Sequence, residues 1–170
     1  FKLSGHAGPG LEKTLKDETS VFGFCVTASP LEYFSQELEA YRPDSSASFG
    51  DAVRSGKSQG ICCAGIVLNR RVEKTGDGSS MLFCTIEDRD GIFETVFFPA
   101  FYQKYMKVLS RSRAVIIKGT LKYRDGDIIV IGKKATDLFA LKKSSLSHRK
   151  ESLKKDILME AGPIWKKQGK

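Results

Sequence analysis

The chain has 170 residues, 41% of them hydrophobic, enough for one or two small domains with a packed core. Its 28 Lys and Arg against 20 Asp and Glu give a net charge of +8 and a pI near 9.3, which favours a polyanionic partner. No apolar run approaches the roughly 20 residues of a spanning helix, and Phe1 to Gly10 is polar and Gly-rich with no signal-peptide core. The expectation is a cytoplasmic protein without a membrane partner. The absence of an initiator Met points to a fragment or a processed chain.

Charge divides the sequence into three. Residues 1–50 carry a net −3, residues 51–141 a net +5, and residues 142–170 a net +6. There is no internal repeat. The domain reading is a helical hairpin and linker over 1–59, a nucleic-acid-binding barrel over 60–141, and a basic tail over 142–170.

The first segment reads as two short helices. Leu11, Leu15 and Phe22 fit one face of the first. Leu31, Phe34, Leu38 and Tyr41 fit one face of the second. Ser29-Pro30-Leu31-Glu32 is its start: Ser29 can cap, Pro30 can take the first helical position, and Glu32 can close a capping box. Residues 42–60 are rich in Ser, Asp and Gly and read as a linker or an irregular approach to a strand.

From Ile61 the period changes to two. Ile61 to Arg71 is a run of β-branched and small apolar residues, followed by the turn signal Gly76-Asp77-Gly78. Met81 to Glu87 alternates, with Leu82, Cys84 and Ile86 on one face. Asp88-Arg89-Asp90-Gly91 is a tight turn, Ile92 to Phe98 a third strand, and Pro99 its stop. Phe101, Tyr105 and Val108 follow helical spacing. Ala114 to Tyr123 and Ile128 to Ala135 are two more strands about Asp125-Gly126-Asp127. Three strands, a helix and two strands is the order of the five-stranded, mainly β, OB-fold Greek-key barrel. The basic tail has Leu146, Leu153 and Ile157 for a marginal helical face. It reads as a solvated tail or as an arm adding phosphate contacts.

Phe83 is the first candidate site residue. If Leu82, Cys84 and Ile86 face the core, Phe83 faces the open side of strands two and three, where such barrels stack bases. Under inverted parity it is core. Arg70, Arg71 and Lys74 end strand one and enter the next loop. Lys122, Tyr123 and Arg124 crowd the turn between strands four and five. Both loops border the groove, although basic residues in turns also serve solubility. Glu94 interrupts strand three beside Phe83 and can accept from a base amino group, or is simply a half-exposed strand residue.

Catalysis finds little support. Asp88 and Asp90 have the spacing of a metal-holding carboxylate pair but flank a turn that favours Asp for backbone reasons. His6 and His148 lie far from Cys25, Cys62, Cys63 and Cys84, which form no C-x-x-C pair. No phosphate loop is present. No cofactor or metal is expected. Cys62, Cys63 and Cys84 read as core residues.

Two stretches carry a resemblance. Glu18 to Leu31, reading ETSVFGFCVTASPL, resembles a segment of the bacterial DNA polymerase III alpha subunit family of the form E-x-x-x-L-G-F-x-x-S-G-H-P-L. Phe22 replaces the Leu, and Thr27, Ala28 and Ser29 replace Ser-Gly-His. The second stretch comprises Ala64 to Val67, Met81 to Asp88, Gly91 to Glu94 and Phe97 to Tyr105, and is similar to the OB domain that follows in that family. The resemblance implies a role in DNA replication or replication-linked synthesis, with the catalytic domain absent from this chain. It leaves replicative, error-prone and standalone branches open. The barrel also resembles the anticodon-binding barrels of class II aspartyl and lysyl tRNA synthetases, which implies base stacking at Phe83 and nucleic-acid contacts at Arg70 or Arg71 and at Glu94.

The expected partners are single-stranded DNA, with RNA as the lesser alternative, and other polymerase domains or replication proteins. The isolated chain is expected to be monomeric. Five phosphate contacts, from Arg70, Arg71, Lys74, Lys122 and Arg124, imply a log–log salt slope near about −3.5. The alternative function is a protein-docking module of the polymerase assembly.

Overall fold

In the computed structural model the described residues are 29–124 and 126–160, with positions 10, 13, 14 and 17 before them. The expected first helix and Cys25 lie outside the continuous described residues. Five strands, β1 (Gln59–Lys74), β2 (Ser80–Glu87), β3 (Ile92–Phe97), β4 (Ala114–Arg124) and β5 (Asp127–Asp137), close into a barrel of order β1-β2-β3-β5-β4. All pairings are antiparallel except a short parallel one, in which Glu94, Thr95 and Val96 face Ile129, Val130 and Ile131.

β1 wraps two sides of the barrel. Its first half pairs with β4 and its second half with β2, with an irregularity between Val67 and Asn69 where it changes partner. Gly65 lies just before that change. A Cβ there would come within 2.3 Å of Ile86 Cγ2 and 2.6 Å of the Glu87 carbonyl, so only glycine permits the approach.

The barrel core contains Cys63, Leu82, Ile86, Phe97, Ile117 and Val130, all 2% exposed or less. Two helices close its ends. α3 (Pro99–Arg111) buries Leu109, with Pro99 at its first positions where no N–H is needed. α2 (Phe49–Arg54) inserts Phe49 edge-on against Phe93, ring centroids 5.4 Å apart. Residues 42–60, expected as a linker, therefore contribute to the core through one aromatic in a polar stretch.

A second apolar cluster lies outside the barrel wall. A 3-10 turn at Pro30–Phe34 runs into α1 (Ser35–Tyr41), and Leu31, Phe34 and Leu38 cover Ala64, Ala114 and Ile116. Ser29 caps the turn, its hydroxyl accepting from the Leu31 amide. β4 is consequently buried on both faces from Ala114 to Ile117, which explains its unbroken apolar run.

The expected basic tail departs from the reading made of it. α4 (Leu138–Glu160) begins inside the predicted barrel segment, and Asp137 caps it by accepting from the Phe139 and Ala140 amides at 2.8 and 3.2 Å. Leu138 is fully buried. Lys142 donates to the Tyr33 carbonyl at 2.5 Å, lies 4.0 Å over the Tyr33 ring, and sits 3.7 Å from the Glu37 carboxylate. Ser145 donates to the same carboxylate at 2.9 Å. The start of the tail is thus docked on α1, whereas Leu146 is half exposed.

Candidate nucleic-acid interface

Strand alternation decides which side chains meet. Leu82, Cys84 and Ile86 are buried inside the barrel, so Met81, Phe83 and Thr85 point outward. The sequence parity holds, and Phe83 is half-buried on the outer face. Pairing register carries that face around the barrel. Arg71 lies opposite Phe83, Phe83 opposite Val96, and Val96 opposite Ile131. One row along, Asn69, Thr85, Glu94, Ile129 and Lys122 follow in the same way.

An open groove of about 740 Å³ crosses this face. Its floor is Phe83, Glu94, Val96 and Ile129, with Arg71 and Glu73 on one strand wall. Arg124, Gly126 and Asp127 of the β4–β5 turn form another wall, and Ser46, Phe49 and Gly50 a third. Ile92, 61% exposed, also lines it.

Arg71 and Phe83 are the groove's central pair. The guanidinium carbon lies 4.9 Å from the ring centroid, a cation–π contact. Arg71 also pairs with Glu73 at 2.7 Å, but both side chains are well exposed, so this bond contributes under about 1 kcal/mol. A phosphate can exchange for it at little cost. The contact presents an aromatic face and a mobile cation side by side, the combination that single-strand sites use.

Arg70 goes elsewhere. Its neighbour across the ladder is the inward Cys84, and its guanidinium donates to the Leu109 carbonyl at 2.6 Å and to the Ser112 carbonyl. It satisfies orphan carbonyls at the C-terminus of α3, where the helix dipole also favours a cation. The structure does not bring Arg70 to the groove. Lys74 stays in the β1–β2 hairpin, 3.4 Å from the Gly78 carbonyl. Lys122 is exposed on the outer face beside the groove, opposite Ile129, and Tyr123 is 67% exposed next to it. Arg71, Phe83, Glu94 and Arg124 are therefore brought together, Lys122 flanks them, and Lys74 and Tyr123 occupy the two hairpins.

Sequence reasoning missed the wall made by Ser46, Phe49 and Gly50. Its only signal was a lone Phe within a Ser/Gly stretch. That wall is held by the β2–β3 turn. The Asp88 carboxylate accepts from the Ser46 amide and hydroxyl at 2.7 and 2.8 Å, and from the Asp90 and Gly91 amides at 2.9 Å each. Ser45 donates to Asp90. The Asp88 and Asp90 pair is a clasp between a turn and a helix entrance. Among the described residues no three His, Cys, Asp or Glu side chains converge as a metal ion requires, and no helix is long and apolar enough to cross a membrane.

Cys63 and Cys84 lie inside the barrel, where burial pushes both thiols up, Cys84 to about 11 with the Arg70 charge pulling back. Cys62 is half-buried in the outer cluster rather than in the barrel, with its thiol also raised by burial.

A closed five-stranded barrel with a helix between β3 and β4 and a groove across its outer face is an OB fold. Residues 61–138 match the tRNA anti-codon family model, described as an OB-fold nucleic acid binding domain, and this part of the chain is such a domain. The chain is homologous to the OB region of the DNA polymerase III alpha subunit. The Escherichia coli (strain K12) subunit is 28% identical over 111 residues, covering 65% of this chain and 9% of that protein. The Caulobacter vibrioides subunit is 30% identical over 136 residues, covering 75% of this chain and 12% of that one. The chain thus spans about a tenth of the length of the curated relatives it matches. Asparaginyl-tRNA synthetase from Pyrococcus horikoshii, a solved structure, is 22% identical with a TM-score of 0.37, over 47% of this chain and 20% of its own.

Proposed function

We propose that this chain is a non-catalytic single-stranded DNA-binding module of a DNA polymerase III alpha-like protein, acting in replication or replication-linked synthesis. The observation that carries the reading is the outward Phe83 under the Arg71 guanidinium, at the centre of a groove walled by the β4–β5 turn. A base stacks on Phe83, Glu94 accepts from an exocyclic amino group, and Arg71, Lys74, Lys122 and Arg124 track the backbone. Four such contacts lower the expected salt slope from about −3.5 to about −2.8. Sequence preference is weak, because every base offers a stacking face. The polymerase relatives favour DNA and other polymerase domains as partners.

The test is fluorescence anisotropy of a labelled oligo-dT over a salt series. Phe83→Ala should weaken binding at every salt by roughly 5- to 150-fold, the equivalent of about 1–3 kcal/mol for one stacked base. No binding by the wild type at low salt, or an unchanged affinity for Phe83→Ala, sinks the reading and leaves the groove to a protein partner.

A further inference from the structure

We propose that the outer face of β4 and β5 around Lys118 is a second phosphate-binding surface, which carries the backbone of a single strand onward from the groove. The inference rests on the single-strand reading above and extends its footprint. Lys118 and Lys134 lie directly opposite one another across the β4–β5 ladder. The register slips immediately after this pair, since Gly119 faces Gly132, so Lys133 is the extra, unpaired residue of a bulge. All three lysines are exposed, and among the described residues none is in an ion pair. Like charges facing each other across a ladder are destabilising, so this arrangement weakens the free protein. The bulge is held rigidly: a Cβ on Gly119 would come within 2.2 Å of the Ile131 carbonyl, and one on Gly132 within 2.4 Å of the Phe97 ring. Lys118 also lies 5.8 Å from the Tyr41 ring centroid, which places an aromatic at the edge of the patch.

The patch is continuous with the groove. Lys118, Thr120, Lys122 and Arg124 share one face of β4, at about 6.8 Å per two residues. Lys122 flanks the groove roughly 14 Å from Lys118 by that spacing, and Thr120, tied to Gln59 at 3.0 Å, is the neutral step between them. Protection of a sheet edge is the competing use of lysine. It fits Lys133 and Lys134, because β5 beyond Ile131 pairs with β4 alone. It does not fit Lys118, because β4 is paired there with both β1 and β5.

The experiment compares labelled dT strands of about five and about fifteen nucleotides, within the range of OB-fold site sizes, on the full 170-residue chain. The triple variant Lys118→Gln/Lys133→Gln/Lys134→Gln should leave the short strand unaffected. On the long strand it should flatten the salt slope by roughly 2 and weaken binding on the order of tenfold or more at 0.1 M salt. The double variant Lys133→Gln/Lys134→Gln, which leaves the inner strand intact, should show about two-thirds of that slope change. An unchanged slope on the long strand, or equal losses on both strands, overturns the proposal. Loss on the long strand by the triple variant, with Phe83→Ala silent on both, supports the patch and overturns the groove.

Discussion

Arg70 and Arg71 are adjacent in sequence and opposite in consequence. Arg70 makes two charge-assisted hydrogen bonds to carbonyls at the end of α3, and one acceptor residue, Ser112, is 3% exposed. Such bonds contribute about 1.5–3 kcal/mol each, and partial exposure of Arg70 reduces their sum. Removing the guanidinium also strands buried carbonyls. Arg70→Ala should therefore destabilise the fold by roughly 2–3 kcal/mol, lowering Tm by about 4–12 °C for a chain of this size. Its effect on the salt slope of single-strand binding should be nil. Arg71→Ala should do the reverse. It should change stability by less than about 0.5 kcal/mol, because it loses only an exposed ion pair and a ring contact, and should flatten the slope by about 0.7. Arg70→Lys should fall between wild type and Arg70→Ala in Tm, since an ammonium keeps the charge but not the planar fork. Thermal melts and anisotropy on the same three variants decide the matter. An Arg70→Ala variant with wild-type Tm and a flattened slope would refute the assignment.

Two further outcomes follow from the barrel interior. Gly132→Ala drives a methyl into the fully buried Phe97 ring and should lower the urea midpoint by the equivalent of about 1–3 kcal/mol; an unmoved midpoint would show that the ring can yield. The Cys84 thiol, raised mainly by burial to about 11, keeps its proton in the folded state where the unfolded chain loses it above about pH 9. Stability should consequently fall as pH rises from about 9 to 11, and less steeply in Cys84→Ala. Parallel Tm profiles for the two proteins would count against it.

Much of this was legible in the sequence because strand period is a local signal. Leu82, Cys84 and Ile86 fixed the parity of β2, and Phe83 followed. The same rule implied that Arg70 and Arg71 cannot share a face, but it could not say which one faces out. That depends on the irregularity between Val67 and Asn69, which resets the alternation of β1, and on where α3 ends, both tertiary facts. Phe49 was hidden by the polar residues around it, since one aromatic makes no period. The docking of α4 was hidden for a related reason. Beyond Leu138 and Leu141 its anchoring is polar, through Lys142 and Ser145 to Glu37, and such pairs leave no hydrophobic pattern.

The division of the barrel's outer surface explains why the groove lies where it does. A closed barrel has one outer face, and β1 contributes to two sectors of it. Before the irregularity its outward residues, Cys62, Ala64 and Ile66, are small or apolar and belong to the cluster beneath α1 and the start of α4. After it the outward residues are Asn69, Arg71 and Glu73, and no helix is packed on them. Helix docking therefore uses the apolar sector and leaves the sector with Arg71 and Phe83 open. The tail's charge is divided in the same manner: Lys142 is held by Glu37 and the Tyr33 carbonyl, so it adds nothing to the field seen by a polyanion. The positive charge that remains effective near a bound strand is the charge on the open sector and the β4–β5 strip, which is why a handful of substitutions there should dominate the salt dependence of a chain with 28 basic residues.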